Sequence, residues 1–212
     1  MMKLKFLLCF IFLLNGPTWA RSKLPALKIP NLKIKSFETD GCSAYPDGNP
    51  FTSTHEWLHC CIAHDMRYWI GGTLEQKKFA DEELGKCIKA ETTPGHGDLM
   101  EAGVAIGGSA HFPTGWRWGY GWNRLMPYQK LSSRNTLEVA TKFDSILHAL
   151  NSEKQKGHIN YRQVYYLIIK YEELREEFSA YREVNMGNDH KMKEESLDEM
   201  PDRTEFILDL LN

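Results

Sequence analysis

Apolar runs alternate with stretches rich in glycine and proline, and this alternation divides the chain into segments. Residues 6–14 are an unbroken apolar run behind Lys3 and Lys5, followed by Pro17 and a small-residue site ending Thr18-Trp19-Ala20. The pattern predicts a secretory signal peptide over residues 1–20, too short to anchor in a bilayer. Residues 21–39 are basic and apolar, are broken by proline, and predict an extended lead-in. The stretch DGCSAYPDGNPFTST from Asp40 onward is dense in turn residues and predicts a loop.

Ser53 stands three residues before Glu56, the spacing of a capping box, and the chain then runs without glycine or proline to Ile70. A first helix is expected there. Gly71 and Gly72 end it, and Thr73 with Gln76 offers a second capping box for a helix over 74–90. Pro94 and the glycines after it are expected to close that helix. Residues 95–128 carry three tryptophans at no helical spacing, and predict a short helix over 98–106 followed by an irregular aromatic loop. Long helix formers then predict helices over 136–151 and 161–184, the second with Val164, Leu167, Ile168 and Tyr171 on one face. The end, from Gly187, is acidic, with a short amphipathic helix expected over 204–211.

This is a mainly α chain. Its 26 basic and 28 acidic residues become 24 and 28 without the leader, a net charge of −4, and nothing in that balance predicts nucleic-acid binding or sets an oligomeric state. Cys9 leaves with the leader. Cys42, Cys60, Cys61 and Cys87 remain, an even set that predicts two disulfides in an oxidising compartment, hence a secreted or periplasmic protein. Neighbours on a helix point about 100° apart, so Cys60 and Cys61 do not pair with each other. Two connectivities stay open.

Two hydrolase signatures overlap in HEWLHCCIAHD, residues 55–65. His55, Glu56 and His59 match the H-E-x-x-H of zinc peptidases. Against zinc, Glu56 already has capping work with Ser53, His64 is out of phase with His55, and Asp65 stands where a third histidine would follow. The second signature, C-C-I-A-H-D-M-R-Y from Cys60 to Tyr68, resembles the catalytic helix of the secreted phospholipase A2 superfamily. The resemblance extends to Asp40-Gly41-Cys42-Ser43 upstream and to Asp81 and Cys87 on the second helix. It covers residues 40–90 and is nearest to divergent members of the superfamily. Arg67 stands where many members carry a further cysteine, and fewer bridges would suit a chain stabilised by its helical extension.

The resemblance implies two disulfide-linked antiparallel helices and a C-terminal helical extension. It divides the chain into a leader at 1–20, a phospholipase A2-like domain at 21–130 and a helical extension with an acidic tail at 131–212. The spacing agrees with it: Cys60, His64 and Tyr68 share one helix face, and Cys60 with Cys87 and His64 with Asp81 fall in nearly one antiparallel register. Cys61 is then left for Cys42, which would pin the loop over Asp65. His64 is the expected base, with Asp81 and Tyr68 orienting it. Asp65 and the carbonyls of Gly41, Ser43 and Tyr45 are the expected calcium ligands, an all-oxygen set, and the Ser43 N–H an oxyanion donor. The implied activity is calcium-dependent hydrolysis of the sn-2 ester of a glycerophospholipid, with a phospholipid surface as the partner.

Three further readings complete the expectations. Trp116, Trp118 and Trp122 are candidates for a lipid interface, because tryptophan favours the headgroup region; aromatics packed under a loop are the plainer alternative. Arg117 and Arg124 could bind a lipid phosphate or pair with acids in the tail. A non-catalytic phospholipase A2-like protein binding membranes or a partner is the rival from another class, with the zinc peptidase third.

Overall fold

The computed structural model of the chain describes residues 32–51, 53–186 and 203–211. The expected leader at 1–20, the start of the lead-in and the acidic stretch from 187 to 202 lie outside these. The described chain is mainly helical: α1 (Leu58–Ile70), α2 (Leu74–Glu91), α3 (Pro94–Gly107), α4 (Ser133–Ala140), α5 (Ser145–Gln155), α6 (Tyr161–Met186) and α7 (Thr204–Leu211). Among the described residues, β pairing is confined to two isolated bridges, Ile34 with Trp122 and Asn49 with Ser53. No helix there is long and apolar enough to cross a membrane.

α1 lies in the middle of the core. Eleven of its thirteen residues are buried, on every side of the helix, with Ile62, Met66 and Trp69 fully enclosed. It starts at Leu58, and the Ser53–Glu56 capping box does not form. The Trp57 backbone N–H goes instead to the Asp47 carbonyl, and its indole N–H to the Pro46 carbonyl, so the loop holds residues 53–57 out of the helix. At the other end Gly71 turns in the left-handed region (φ 75°), where a side chain would also meet Gly119.

The aromatic loop closes that end. The carbonyls that a helix leaves unpaired at its C-terminus are taken up here: Tyr68 and Trp69 by the N–H groups of Gly119 and Gly121, Ile70 and Gly72 by the indoles of Trp122 and Trp118. Trp118 and Trp122 are therefore buried and bonded, which corrects their assignment to a lipid interface; of the three tryptophans only Trp116 is exposed. Arg117 donates to the Thr114, Trp122 and Arg124 carbonyls. The described part of the lead-in, residues 32–39, is free of helix and pairs with the same loop, Lys35 N–H to the Gly121 carbonyl and Asn123 N–H to the Lys33 carbonyl.

α2 has the capping box read from Thr73 and Gln76. α3 begins four residues before the expected 98, because Pro94 occupies a first-turn position, where its missing N–H and fixed φ favour a helix instead of ending one. The single helix expected over 136–151 is two. A turn at 141–144 separates α4 from α5 and puts Phe143 into the core against Tyr171 and Phe178. No glycine or proline marks that break.

α6 presents the expected face: Val164, Leu167 and Tyr171 are fully enclosed and Ile168 is buried. They join one core cluster with Ile62, Met66 and Trp69 of α1, Val139 of α4, and Ile146 and Leu150 of α5. Arg67 reaches Glu177 of α6 at 2.7 Å, so the position where a cysteine was considered ties α1 to the C-terminal helices by charge.

Candidate active site

The disulfides are Cys42–Cys61 and Cys60–Cys87, with Cα atoms 5.0 and 5.7 Å apart. The second fastens α1 to α2 one helical turn from His64, whose Nε2 lies 3.2 Å from Asp81 Oδ1. The Tyr68 hydroxyl donates to the same oxygen at 2.6 Å. Because a carboxylate only accepts, Nε2 carries the proton, and Nδ1 is left with a lone pair. That nitrogen is 3.9 Å from Asp65 Oδ1, beyond hydrogen-bonding distance.

Two contributors were missed in the sequence. Lys77 donates to Asp81 Oδ2 at 2.7 Å and to the Val104 carbonyl at 3.0 Å. Its place one turn before Asp81 was a readable signal, since residues four apart on a helix meet. Thr39 donates to Asp65 Oδ2 at 2.6 Å and accepts from the Gly41 N–H at 3.1 Å. No sequence pattern marked Thr39, because its contact spans 26 positions.

The loop over Asp65 is tightly wound. Gly41, Ser43 and Ala44 all have positive φ, 77°, 22° and 36°. The Tyr45 N–H closes the turn on the Cys42 carbonyl at 3.1 Å. Two non-glycine residues in this region are strained, and the disulfide at Cys42 together with the Cys42 N–H bond to Asp47 holds them there. A side chain at Gly41 would strike Asp47. The Ser43 hydroxyl is turned to Asp40, and the Tyr45 hydroxyl meets His96 Nδ1 at 2.5 Å.

Electrostatics distinguish the three buried groups. Burial alone would lower the pKa of His64, but Asp65 and Asp81 beside it outweigh that and hold it above its ordinary value. Burial would raise Asp81, yet the bonds from His64, Lys77 and Tyr68 prevail and hold it low and ionised. Asp65 is pushed up, by burial first and with Asp40 adding to it, against the relief from His64 and Thr39. A buried carboxylate whose ionised form is disfavoured, lining one cavity with the loop at 41–45, suits a hard cation.

His64, Asp65 and Tyr68, with Gly41, Ser43 and Tyr45, line one end of a cavity of about 460 Å³. Its other walls are apolar: Leu84, Leu99, Met100, Val104 and Trp116, with Gly103 and Gly107 of α3. The structure thus brings His64, Tyr68 and the four expected calcium-binding residues to one cavity, while Asp81 does not line it and meets the site through His64 and Tyr68.

The zinc motif is not assembled. His55 precedes α1 and stacks on His158, ring centres 4.4 Å apart, so it does not sit one helical turn from His59. His59 is buried, accepts from Gln163 and faces Glu91 at 3.4 Å, and burial holds its pKa below the ordinary value despite Glu91. Cys60 and Cys87 lie close to it, but their sulfurs are bonded to each other and offer no thiolate. Comparison with family models, with curated proteins and with solved structures finds no match to this chain.

Proposed function

We propose that the protein is a secreted or periplasmic, calcium-dependent phospholipase A2-like hydrolase acting on the sn-2 ester of a glycerophospholipid. The observation that carries this reading is the buried His64–Asp81–Tyr68 arrangement opening, beside Asp65, onto an otherwise apolar cavity. The paired positions run in opposite order along α1 and α2, Cys60 with Cys87 and His64 with Asp81, in keeping with the two-helix core of that superfamily. Two disulfides support an oxidising compartment.

The chemistry follows from the residues. His64 Nδ1 takes a proton from a water as the water oxygen bonds to the ester carbonyl carbon. Asp81 keeps the other ring nitrogen protonated and stabilises the imidazolium that forms. The Ser43 N–H donates to the carbonyl oxygen as it gains charge. When the tetrahedral species collapses, the bond to the glycerol oxygen breaks and His64 returns the proton to that oxygen, giving a fatty acid and a lysophospholipid. Asp65 and the carbonyls of Gly41, Ser43 and Tyr45 would hold calcium, which supplies positive charge to the ester carbonyl. The apolar walls at Leu99, Met100 and Val104 suit an acyl chain.

The rival reading is a non-catalytic binding protein on the same scaffold, favoured by the turn of the Ser43 hydroxyl toward Asp40 in a loop unlike a glycine-rich calcium loop. Fatty-acid release from phospholipid vesicles, with calcium and with a chelator, separates the two. Release only with calcium supports the hydrolase; binding to vesicles without release supports the rival.

A further inference from the structure

Lys77 is the charged group at this site that the proposed reaction does not use. It is 2% exposed, and an ammonium that deep in a protein is costly unless closely partnered. Its partners are few and well placed. Nζ lies 2.7 Å from Asp81 Oδ2 and 3.0 Å from the Val104 carbonyl of α3, and it stands 5.4 Å from the centre of the Tyr68 ring. It has no bond to His64.

The division of labour on Asp81 is what gives Lys77 a role. Oδ1 receives both His64 and Tyr68, while Oδ2 receives Lys77. A carboxylate held at one oxygen only can rotate and offer either oxygen to its histidine. One held at both cannot. The Tyr68 hydroxyl also lies 3.3 Å from the Val104 carbonyl, so the same network meets the helix that walls the cavity.

We infer that Lys77 is a positioning residue: it pins Asp81 Oδ2 so that Oδ1 alone faces His64 Nε2, and through the Val104 carbonyl it fixes the dyad against α3. This rests on the proposed hydrolysis. Lys77 acts through Asp81 and does not touch the reacting atoms.

The test compares the full chain with Lys77→Met, Lys77→Gln and Lys77→Arg, each shown to be folded by near-ultraviolet circular dichroism. Two readouts are taken. The first is the downfield proton resonance of the His64 Nε2–H in protein labelled with nitrogen-15 histidine, which needs no substrate. The second is kcat and KM on phosphatidylcholine mixed micelles with calcium. In the Met and Gln variants the resonance moves upfield or broadens away, and kcat falls on the order of tenfold or more with KM little changed, since displacing a catalytic group by about 1 Å costs on the order of a hundredfold. Lys77→Arg keeps the resonance and recovers most of kcat.

Folded Met and Gln variants with the resonance and kcat of the wild type overturn the inference. So does an Arg variant that loses both as completely as Met. If neither neutral variant folds, Lys77→Arg decides through the resonance alone, retention supporting the role and loss overturning it. If the wild type releases no fatty acid, the hydrolase reading has failed, and the resonance still tests what Lys77 does to the dyad.

Discussion

Gly103 stands in the interior of α3, where glycine is about 1 kcal/mol less favourable than alanine because its backbone is freer in the unfolded chain. Helix glycines are usually explained by close packing, and α3 has such cases: a side chain at Gly97 would strike the Gly85 carbonyl, and one just beyond the helix, at Gly108, would strike Tyr68. At Gly103 a methyl group would meet nothing within 4 Å, yet the residue lines the cavity. Gly103→Ala should therefore stabilise the protein by about 1 kcal/mol, roughly 2–4 °C in Tm for a chain of this size. Gly103→Leu should not lower Tm but should project into the space proposed for the acyl chain. If it excludes two methylenes, the lost burial is about 1.6 kcal/mol, a factor of roughly ten to twenty in kcat/KM for long acyl chains. Calorimetry of both variants, with turnover on short- and long-chain phosphatidylcholine, is the assay. A fall in Tm for Gly103→Ala, or equal loss on both chain lengths for Gly103→Leu, would refute the reasoning.

Three other outcomes follow from particular contacts. Asp65 has a raised pKa, so its ionised form is disfavoured in the fold and opposes stability at neutral pH; Asp65→Asn should raise the calcium-free Tm and abolish any rise with calcium, which otherwise reaches about 2.7 kcal/mol at a hundredfold excess over Kd. His64 has a raised pKa, so its contribution to stability is complete below 6.5 and is lost as pH rises through the folded value; the base must be neutral, and the rising limb of kcat/KM against pH should lie above 6.5, an expectation that a limb at or below 6.5 contradicts. Trp122→Phe removes the indole bond to the Ile70 carbonyl at 2.7 Å and should cost about 1–3 kcal/mol in chemical denaturation, while vesicle binding stays as in the wild type because the ring is buried.

How much was legible depended on the range of the interaction. The α2 start was readable because Thr73 and Gln76 satisfy each other locally, and the α6 face because burial there follows the helical period. The cysteine pairing was readable because two helices joined by a glycine turn share one register with His64 and Asp81. The start of α1 was misread since carbonyls at Pro46 and Asp47 claim Trp57 first. The break between α4 and α5 is imposed by burying Phe143 against α6, and nothing local signals it. Trp118 and Trp122 looked amphipathic in sequence, but an indole N–H is equally suited to a bare helix carbonyl, and two were waiting at the end of α1 and just beyond it. Thr39 meets Asp65 in a chain segment that is also paired with the aromatic loop, a long-range arrangement with no local signal.

The central claim is that His64, oriented by Asp81, activates water beside a calcium-binding Asp65. Fatty-acid release from mixed phospholipid vesicles, measured with calcium and with a chelator for the wild type and for His64→Gln, tests it most directly. The account predicts release from the wild type with calcium, none with chelator, and a loss on the order of a hundredfold or more in folded His64→Gln. Release that persists undiminished in the variant, or no release from the wild type with calcium, would contradict it.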